Sequence, residues 1–451
     1  MDDSLPTRSE RFTIGKALRA RTPREVHAEL RGPHARDAVA ILAQSDASRL
    51  SELLPMRYQR MTESAFAFLR GAAAVMASDL ARQPSAGVPV QACGDCHLMN
   101  FGAFNTPEDN ILFDINDFDE TLPGVDFTID VKRLVASVAI AAEAASMTKK
   151  QARGLAADTV AAYREHMFAL AELSPLEIWH SRIDLEQELK QVDAPALRRT
   201  LAILISRARS HGLAKDDNFP TLVSYGQPII ADKPPTIFHL DPDSDPRHNL
   251  NAIQAFESYR RSLTPDRIAL VDRYRLRDFA FKAVGVGSVG TFCCVGLFMS
   301  GDDEPLFLQV KEAQESVLER FGTGLAYQGQ QGRRVVEGQR VMQAASDIFL
   351  GWTADEASGR QFYVRVLKNR RLGAANEIAE QEALSDYAQL CGRTLARAHA
   401  RSGDAAVMSG YMGKSRAFDD ALASFALAYA DQTYVDHRAL VKAKSANPHA
   451  A

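Results

Sequence analysis

The chain has 451 residues, 46% hydrophobic and 24% charged, which is the composition of a globular protein long enough for two or three domains or one large two-lobed enzyme. Its formal net charge of -4, from 53 basic and 57 acidic residues, creates no overall field that would draw it to nucleic acid or to an anionic membrane. The N-terminal sequence lacks the apolar core of a signal peptide, and no run approaches the ~18 apolar residues of a membrane span, so we expect a cytoplasmic protein.

Residues 1–60 are rich in arginine and interrupted by prolines, which predicts short helices docked on the main body. A helix is predicted from Thr62 to about Arg82, where apolar residues recur at helical spacing. Arg57, Arg60 and Arg70 are candidates for phosphate contacts, because a guanidinium presents a fork of donors that suits phosphate oxygens. The alternative is that these arginines are solvated or pair with nearby acids.

The segment from Val90 to Thr121, VQACGDCHLMNFGAFNTPEDNILFDINDFDET, concentrates acidic and amide side chains around one apolar strand. Asp95 is followed by Asn100, and the strand ends shortly before Asp117. Phosphoryl transfer needs a group that accepts the proton of an attacking hydroxyl and groups that hold a metal ion on the phosphates. We predict Asp95 as the base and Asn100 and Asp117 as metal ligands. Two more acids are candidates to hold or support the metal, Asp114 and Asp119.

A turn signal after this segment leads into a helix whose first turn contains Asp130. A carboxylate at this position can cap free backbone amides or brace the loop that carries Asp95. The pattern stays helical from Lys149 to about Ser210. Residues 218–251 are rich in Pro, Asp and His without a clear period, and we expect a long loop or a lobe boundary there.

A glycine-rich segment, G-x-G-x-x-G, follows at Gly285, Gly287 and Gly290. Further β-branched and aromatic residues come next, then a turn and an apolar run that ends at Lys311, whereas a dinucleotide-binding fold would place a helix after the last glycine. We therefore interpret the glycines and Ser288 as a flap over nucleotide phosphates, and Lys311 as a catalytic lysine that contacts them. The alternative is a solvated lysine at the end of a strand.

A lysine in that role needs an acidic partner on a following helix. The helix predicted over residues 333–345 carries Glu337, which we take as that partner. Glu315 and Glu319 lie in an earlier candidate helix and are the alternatives. Two further strands are expected, at residues 348–352 and 361–367, and they would complete a small antiparallel sheet.

These motifs resemble those of one enzyme superfamily. The sequence GDCHLMN at residues 94–100 resembles the catalytic loop of aminoglycoside phosphotransferase and choline kinase relatives, in which an Asp precedes an Asn by five residues. The sequence INDF at residues 115–118 is similar to their metal-binding Asp motif, and Asp126 with Asp130 resembles the acid pair that opens their next helix. The glycine segment and Lys311 resemble their small lobe, which precedes the catalytic loop in that family and follows it here.

The resemblance implies an α+β, two-lobed protein-kinase-like fold with a small antiparallel sheet lobe and a larger helical lobe. A circular permutation would explain the reversed order of the motifs. In that case the helix that ends at His399 would lie just upstream of the catalytic loop in space. The expected regions are an N-terminal helical extension (1–60), a helical lobe with the catalytic and metal-binding loops (61–270), a small β-rich nucleotide-binding lobe (271–372) and C-terminal helices that complete the helical lobe (373–451).

Nearly the whole chain also resembles a bacterial family catalogued as domain of unknown function 2252. The matching motifs are spread along the sequence and include FLRGAA, QACGDCHLMNFG, FDINDFDET, FLQVKEA, VVEGQRVMQAASDIFLGW and LARAHARSGD. No activity is established for that family, so this resemblance bears on the boundaries of the chain and not on its chemistry.

The central segment permits other interpretations. Cys93 to His97 form C-x-x-C-H, the attachment pattern of c-type haem, and Cys93 with Cys96 form a C-x-x-C redox pair. Haem attachment requires export, which the N-terminal sequence does not indicate, and no thioredoxin-like unit surrounds the thiols. We expect His97 to orient the loop. The acidic run could form a calcium site, but it lacks the Gly and the late Glu of an EF-hand loop.

We therefore expect an ATP- and Mg2+-dependent, kinase-like phosphotransferase that acts on a hydroxyl or amine of a small-molecule or protein acceptor. Nucleic acid and membrane are not expected as partners. The alternatives are a nucleotide-binding regulatory pseudokinase without turnover, an AMP transferase and, third, a metal-dependent hydrolase. The sequence indicates neither the acceptor nor the oligomeric state, because acceptor pockets are built from loops and helices that follow no general code.

Overall fold

The computed structural model of the protein shows an α+β fold with small antiparallel sheets, as the sequence predicts. The residues that it describes are 5–32, 36–106, 108–192, 195–209, 219–224, 226–239, 252–283, 287, 289–324, 326–367 and 381–446. Within these ranges, no helix is both long enough and apolar enough to cross a membrane.

Helices fill the N-terminal part of the chain. They are α1 (Arg8–Arg21), α2 (Ala38–Asp46), α3 (Leu54–Thr62), α4 (Ala65–Gly71) and α5 (Ala73–Leu80). The single helix predicted over residues 62–82 is divided into α4 and α5. Ser64 caps α4, because its hydroxyl accepts a hydrogen bond from the amide of Ala67 (3.0 Å). Ala72 then leaves helical geometry, at φ -111° and ψ 37°, and separates the two helices.

Two short strand pairs shape the segment that contains Asp95 and Asp117. The strands are β1 (Pro89–Ala92), β2 (Phe101–Asn105), β3 (Ile111–Ile115) and β4 (Leu122–Asp126). The outer strands β1 and β4 pair with each other, as do the inner strands β2 and β3, both antiparallel. The inner pair brings Asn100, just before β2, beside Asn116, whose amide donates to the Asn100 carbonyl (2.8 Å). The two polar clusters of this segment therefore meet at one place.

The largest hydrophobic core lies in the helical body. Its helices are α6 (Thr128–Ala144), α7 (Lys149–Ala171), α8 (Pro175–His180), α9 (Leu185–Gln191), α10 (Pro195–Arg209), α15 (Gln381–Ala400), α16 (Ala405–Met412) and α17 (Ala417–Ala446). Helix α7 packs against α15 and α17, and α6 packs against α7 and α17. Helix α6 is buried along most of its length, since small apolar residues occupy nearly all of its faces.

The end of α15 lies beside the strand that leads into the Asp95 loop. Just after this helix, the hydroxyl oxygen of Ser402 accepts a hydrogen bond from the amide of Gln91 in β1 (2.8 Å). His399, in its last turn, lies against Asp130 of α6, with 3.2 Å between Nε2 and Oδ2. This helix therefore lies beside the strand that precedes the Asp95 loop.

A six-stranded antiparallel sheet forms the β-rich part of the protein. Across the sheet its strands are β11 (Gly351–Ala354), β12 (Gln361–Val366), β10 (Pro305–Glu312), β9 (Cys293–Met299), β8 (Arg275–Lys282) and β7 (Ile237–Phe238). Four further helices lie in this part of the sequence, α11 (Ala252–Arg261), α12 (Pro265–Val271), α13 (Val317–Arg320) and α14 (Gln331–Met342). Strand β10 is paired on both sides, with β9 and β12, so Lys311 projects from the interior of the sheet.

The segment 218–251, expected to be a loop, contains strands in its described part. These are β7 and the pair β5 (Leu222–Ser224) and β6 (Pro228–Ile230). The amide of Ile230 donates to the carboxylate of Asp278 in β8 (2.7 Å), which attaches β6 to the sheet. Strands of two or three residues are too short to show a period in the sequence, which explains why they were not predicted.

Candidate functional site

The loop between β1 and β2 carries Asp95, and its conformation depends on the neighbouring glycine. Gly94 adopts a φ of +87°, and a Cβ atom there would lie 2.1 Å from the carbonyl oxygen of Glu120, so only glycine fits. The carboxylate of Asp130 accepts hydrogen bonds from the amides of Cys93 (2.6 Å) and Gly94 (2.9 Å). Asp130 therefore braces the Asp95 loop, which confirms one of the two roles predicted for it.

Two further buried side chains hold Asp130 in place. His399 Nε2 lies 3.2 Å from Asp130 Oδ2, and the hydroxyl of Tyr163 lies 2.9 Å from His399 Nδ1. All three side chains are shielded from solvent. A buried polar network whose members are paired has one preferred arrangement, so this network fixes the loop. The three residues come from α6, α7 and α15, and no local spacing in the sequence links them.

The carboxylate of Asp95 forms an ion pair with Arg133 of α6, whose Nε lies 2.7 Å from Oδ1. Arg133 is buried and also donates to the carbonyl of Leu69 (2.8 Å). Burial raises the pKa of Asp95, and the guanidinium of Arg133 works against that rise. The ion pair sets the position of the Asp95 carboxylate on the cleft wall described below.

Asn100 and Asp117 line the same cleft as Asp95. The side-chain amide of Asn100 donates through Nδ2 to the carbonyl of Asp95 (2.6 Å). Because the nitrogen is used in this hydrogen bond, the amide oxygen is the atom of this side chain that could ligate a metal. Asp117 lies close enough to Asp95 for its charge to add to the rise in the pKa of that carboxyl, after the larger effect of burial. The three residues that the sequence associates thus lie in one cleft.

Lys311, on β10, forms an ion pair with Asp119. Tyr363 of β12 donates a hydrogen bond to the other carboxylate oxygen of Asp119 (2.7 Å). The Lys311 side chain is only 1% exposed. The ion pair therefore connects the six-stranded sheet to the acidic segment, two residues after Asp117.

The expected partner of Lys311, Glu337, is engaged elsewhere. Its carboxylate accepts a hydrogen bond from Arg333 Nε (2.7 Å) on the exposed side of α14. The face of α14 directed at the acidic segment carries Arg334 instead, which donates to the carbonyl of Asp119 (2.8 Å). Lys311 therefore pairs with Asp119 and not, as expected, with Glu337.

Asp114, a predicted metal ligand, is not among the residues that line the cleft. Its carboxylate is fully buried and forms an ion pair with Arg397 of α15. It also accepts hydrogen bonds from the amides of Ile115 (2.9 Å) and Ala344 (2.9 Å). These contacts use both carboxylate oxygens, so the geometry gives Asp114 a structural role and does not bring it to the proposed metal position.

The glycine segment lies against the N-terminal helices. Two of the residues predicted to cover phosphates are outside the described part of the chain, Gly285 and Ser288. Gly287 lines the cleft, and Gly290 has a φ of +89°. The carbonyl of Gly287 accepts a hydrogen bond from Arg57 Nη1 (2.9 Å), and that of Gly290 from the amide of Leu50 (2.8 Å). The N-terminal extension therefore holds the described glycines at the edge of the cleft.

A partly open cleft lies between these elements. Charged side chains of both signs line it. The acids are Asp95, Asp117, Asp119, Glu120, Glu312 and Glu315, and the arginines are Arg49, Arg57, Arg70 and Arg320. Arg57 and Arg70 were candidates from the sequence, whereas Arg60 is not on this wall. Arg49 and Arg320 carry no sequence motif and emerge only from the fold.

The thiols near Asp95 are buried and unsuited to redox chemistry. A hydrogen bond with Cys96, followed by burial, raises the pKa of the Cys93 thiol well above its usual value, and burial raises that of Cys96 to about 11. Both thiols are therefore protonated at neutral pH, whereas the reactive form of a cysteine is the thiolate. His97 accepts a hydrogen bond from the amide of Met99 at Nδ1 (3.2 Å), which is consistent with its expected role in orienting the loop.

The donor set of the cleft suits a metal ion shared with phosphate oxygens. Within the described ranges, no group of three or more His, Cys, Asp or Glu residues is placed to hold a metal ion. Mg2+ is usually bound by one or two carboxylates together with substrate phosphates and water. Asn100 and Asp117 offer one amide oxygen and one carboxylate on the cleft wall, and these donors fit Mg2+.

Comparison with known proteins identifies a family but no function. No curated protein and no solved structure matches the chain significantly. One family model, described as "Uncharacterized protein conserved in bacteria (DUF2252)", matches residues 49–443. This range includes every residue named above on the cleft wall. The chain therefore belongs to the DUF2252 family of uncharacterised bacterial proteins.

Proposed function

We propose that the protein is an ATP- and Mg2+-dependent phosphotransferase with a kinase-like, two-lobed fold that acts on a hydroxyl or amine acceptor. The observation that carries this proposal is the common cleft of Asp95, Asn100 and Asp117, with Lys311 paired to Asp119 beside it. A proton acceptor, oxygen donors for a metal and a lysine near the phosphates are the parts that phosphoryl transfer requires.

Asp95 is the proposed base. The acceptor oxygen or nitrogen forms a bond to the γ-phosphorus of ATP, the bond from that phosphorus to the bridging oxygen breaks, and ADP leaves with the electron pair. The acceptor proton passes to the Asp95 carboxylate. Because burial raises the pKa of Asp95, its carboxylate is a stronger base than one in water. Arg133 holds the carboxylate in position for this step.

Asn100 and Asp117 would hold Mg2+. The bound ion would offset the negative charge of the nucleotide phosphates. Lys311 would contact the same phosphates from the sheet side. Asp119 positions the Lys311 ammonium at the acidic segment, and Tyr363 in turn orients the Asp119 carboxylate. In this arrangement the acidic segment contributes a metal ligand and the partner of the lysine.

The order of elements around Lys311 supports a kinase-like small lobe. In protein kinases a glycine-rich loop precedes the strand that carries the lysine, and a helix with an acidic residue follows that strand. Here the glycine segment precedes β9 and β10, and α13 and α14 follow β10. The contact between Ser402, after α15, and Gln91 supports the permuted order, because that helix would lead into the catalytic loop in space.

A second function, nucleotide binding without turnover, is favoured by one observation. The Asp95 carboxylate is already ion-paired with Arg133, and a carboxylate that must leave an ion pair accepts a proton less readily. In a regulatory module of this kind Asn100, Asp117 and Lys311 would bind the nucleotide, and no acceptor would react.

The test is calorimetric titration of the full chain with ATP, with and without Mg2+, for the wild type and three variants. Asp117→Ala and Lys311→Ala should abolish Mg2+-dependent binding, since each removes a direct contact to the metal or the phosphates. Asp95→Asn should bind ATP with wild-type affinity but show no transfer in an acceptor screen. The exposed Lys149–Asp431 ion pair provides matched controls, Lys149→Ala and Asp431→Ala, which should bind ATP normally.

Loss of Mg2+-dependent binding in both Asp117→Ala and Lys311→Ala would tie the sheet and the acidic segment into one site. A folded wild type that binds no ATP would overturn the proposed function. If the wild type binds ATP but neither it nor Asp95→Asn transfers phosphate to any acceptor or to water, the regulatory module is favoured.

A further inference from the structure

Arg70 lies at the end of α4, and the residue before it, Leu69, is linked to the proposed base through Arg133. The carbonyl of Leu69 accepts a hydrogen bond from Arg133 Nη2 (2.8 Å). The same guanidinium is ion-paired with Asp95. The backbone on one side of Arg70 is therefore held by the group that positions the base.

The backbone on the other side of Arg70 is fixed to the glycine segment. The carbonyl of Gly71 accepts a hydrogen bond from Arg57 Nη2 (2.8 Å), and Arg57 Nη1 donates to the carbonyl of Gly287 (2.9 Å). The carbonyl oxygen of Arg70 would lie 3.0 Å from a Cβ atom on Gly287. Residue 70 is thus held between the Asp95 loop and the segment proposed to cover the phosphates.

The Arg70 side chain lines the cleft and acts on the groups near the proposed base. Burial raises the pKa of Asp95, and the positive charge of Arg70 works against this rise, as that of Arg133 does. Burial lowers the pKa of His97 well below its usual value, and the charge of Arg70 lowers it further. The guanidinium therefore shares the cleft wall with Asp95, Asn100 and Asp117, where phosphoryl transfer would occur.

We infer that the Arg70 guanidinium binds the terminal phosphoryl group of ATP and stabilises its negative charge during transfer. The inference rests on the proposed function and assigns a further catalytic residue to the same cleft. Arginine suits this role because its planar fork of donors binds phosphate oxygens in a fixed geometry. An arginine supplied by the same chain to a transferring phosphoryl group contributes strongly to the rate of some nucleotide hydrolases.

Two ligands that differ only in the terminal group test this role. The Kd values of Mg2+-ADP and of the Mg2+ complex of β,γ-imido-ATP, which is not hydrolysed, are measured by calorimetry. Arg70→Gln should weaken binding of the triphosphate analogue by about tenfold or more, because a charge-assisted contact is lost. The affinity of Arg70→Gln for Mg2+-ADP should remain within about twofold of the wild-type value. Arg70→Lys keeps the charge without the fork and should show a smaller loss that is also confined to the analogue.

Arg60→Gln provides the matched control. Arg60 is a partly buried arginine in the last turn of α3, outside the cleft wall, and its substitution should change neither affinity. Equal losses for both ligands in Arg70→Gln and Arg70→Lys, or no loss for either, would overturn the role of Arg70 while leaving the proposed function intact. Absence of Mg2+-dependent binding of either ligand to the folded wild type would overturn the proposed function and this inference with it. A thermal unfolding curve for each variant shows that it is folded.

Discussion

Glu120 joins the acidic segment to α13, and its protonation state changes near neutral pH. Its carboxylate accepts a hydrogen bond from the amide of Val317 (2.7 Å), and its carbonyl accepts one from the hydroxyl of Ser316 (2.8 Å). Burial raises the pKa of Glu120 to about 7, although the Val317 amide and the charge of Arg334 oppose the rise. The residue before it, Asp119, holds Lys311. Adjacent carboxylates of one loop thus anchor two elements of the β-rich part.

We predict that Glu120→Gln stabilises the protein more at pH 8 than at pH 5. The folded pKa of about 7 exceeds the ordinary value of 4.5, so the unfolded chain loses this proton first as the pH rises. Between these two values, ionisation of Glu120 progressively lowers the free energy of unfolding, and above about pH 7 this loss is constant. The Glu120→Gln variant has no carboxyl group to ionise and does not suffer this loss. Urea denaturation without Mg2+ at both pH values measures the effect.

The half-exposed residue Glu337 provides the control, because Glu337→Gln should give a small difference from wild type at both pH values. A Glu120→Gln variant whose difference from wild type does not change with pH would show that Glu120 has an ordinary pKa in the folded protein.

At this scale, residues that are close in sequence were easier to assign than residues that meet through the fold. Asp95, Asn100 and Asp117 lie within one segment whose strand pairs bring its ends together, and its spacing alone indicated their association. The partner of Lys311 was not predictable, since Asp119 is 192 residues away in the sequence. The sequence of α14 shows helical spacing, but it does not show that Arg334 rather than Glu337 would face the acidic segment.

Among the secondary-structure elements, α6 does most to position the Asp95 loop. Three of its residues face the loop at helical spacing, Asp130, Arg133 and Ser137. Asp130 binds two loop amides, Arg133 binds the Asp95 carboxylate, and the Ser137 hydroxyl oxygen accepts a hydrogen bond from the amide of Leu98 (3.1 Å). This polar face on a mostly apolar helix is a signal in the sequence that could have identified Arg133.

We predict that Asp130→Ala lowers the free energy of unfolding by roughly 2–5 kcal/mol, because it leaves the buried amides of Cys93 and Gly94 without an acceptor. It should also weaken nucleotide binding, since the loop that carries Asp95 and Asn100 loses its brace. Urea denaturation and calorimetry measure the two effects. Asp158→Ala is the control, because Asp158 is half exposed and forms a surface ion pair with Arg416. A loss no larger than that of the control would show that the loop holds its conformation without Asp130.

Long elements followed from periodicity, whereas short elements depended on side chains that form turns and caps. The strand expected at residues 348–352 begins only at Gly351. Asp347 forms a turn before it, in which its carboxylate accepts a hydrogen bond from the amide of Phe349 (2.8 Å). The divided helix after Thr62 has a similar cause, the cap at Ser64. Such side-chain hydrogen bonds compete with regular structure and leave the apolar pattern unchanged.

At the scale of the whole molecule, the N-terminal extension and the last helix are joined through buried charges. Arg36 lies 2.7 Å from a carboxylate oxygen of Asp436 in α17 and 2.7 Å from one of Asp79 in α5. The hydroxyl of Tyr429 donates to Asp79 as well (3.0 Å). The sequence could not show this network, because Arg36 and Asp436 are 400 residues apart. The extension that supplies Arg49 and Arg57 to the cleft is thereby fastened to the last helix.

We predict that Arg36→Ala lowers the free energy of unfolding by about 3–5 kcal/mol, because removing one member of a buried ion-pair network leaves charges buried without compensation. Arg416→Ala removes an arginine whose side chain is 54% exposed and should cost less than about 1 kcal/mol. Urea denaturation of both variants measures the difference. Since the segment from α2 to α4 carries three of the four cleft arginines, Arg49, Arg57 and Arg70, Arg36→Ala should also weaken nucleotide binding, whereas Arg416→Ala should not. Similar stabilities for the two variants would mean that the extension is held to the body by apolar packing alone, with Arg36 as a neutral part of that interface.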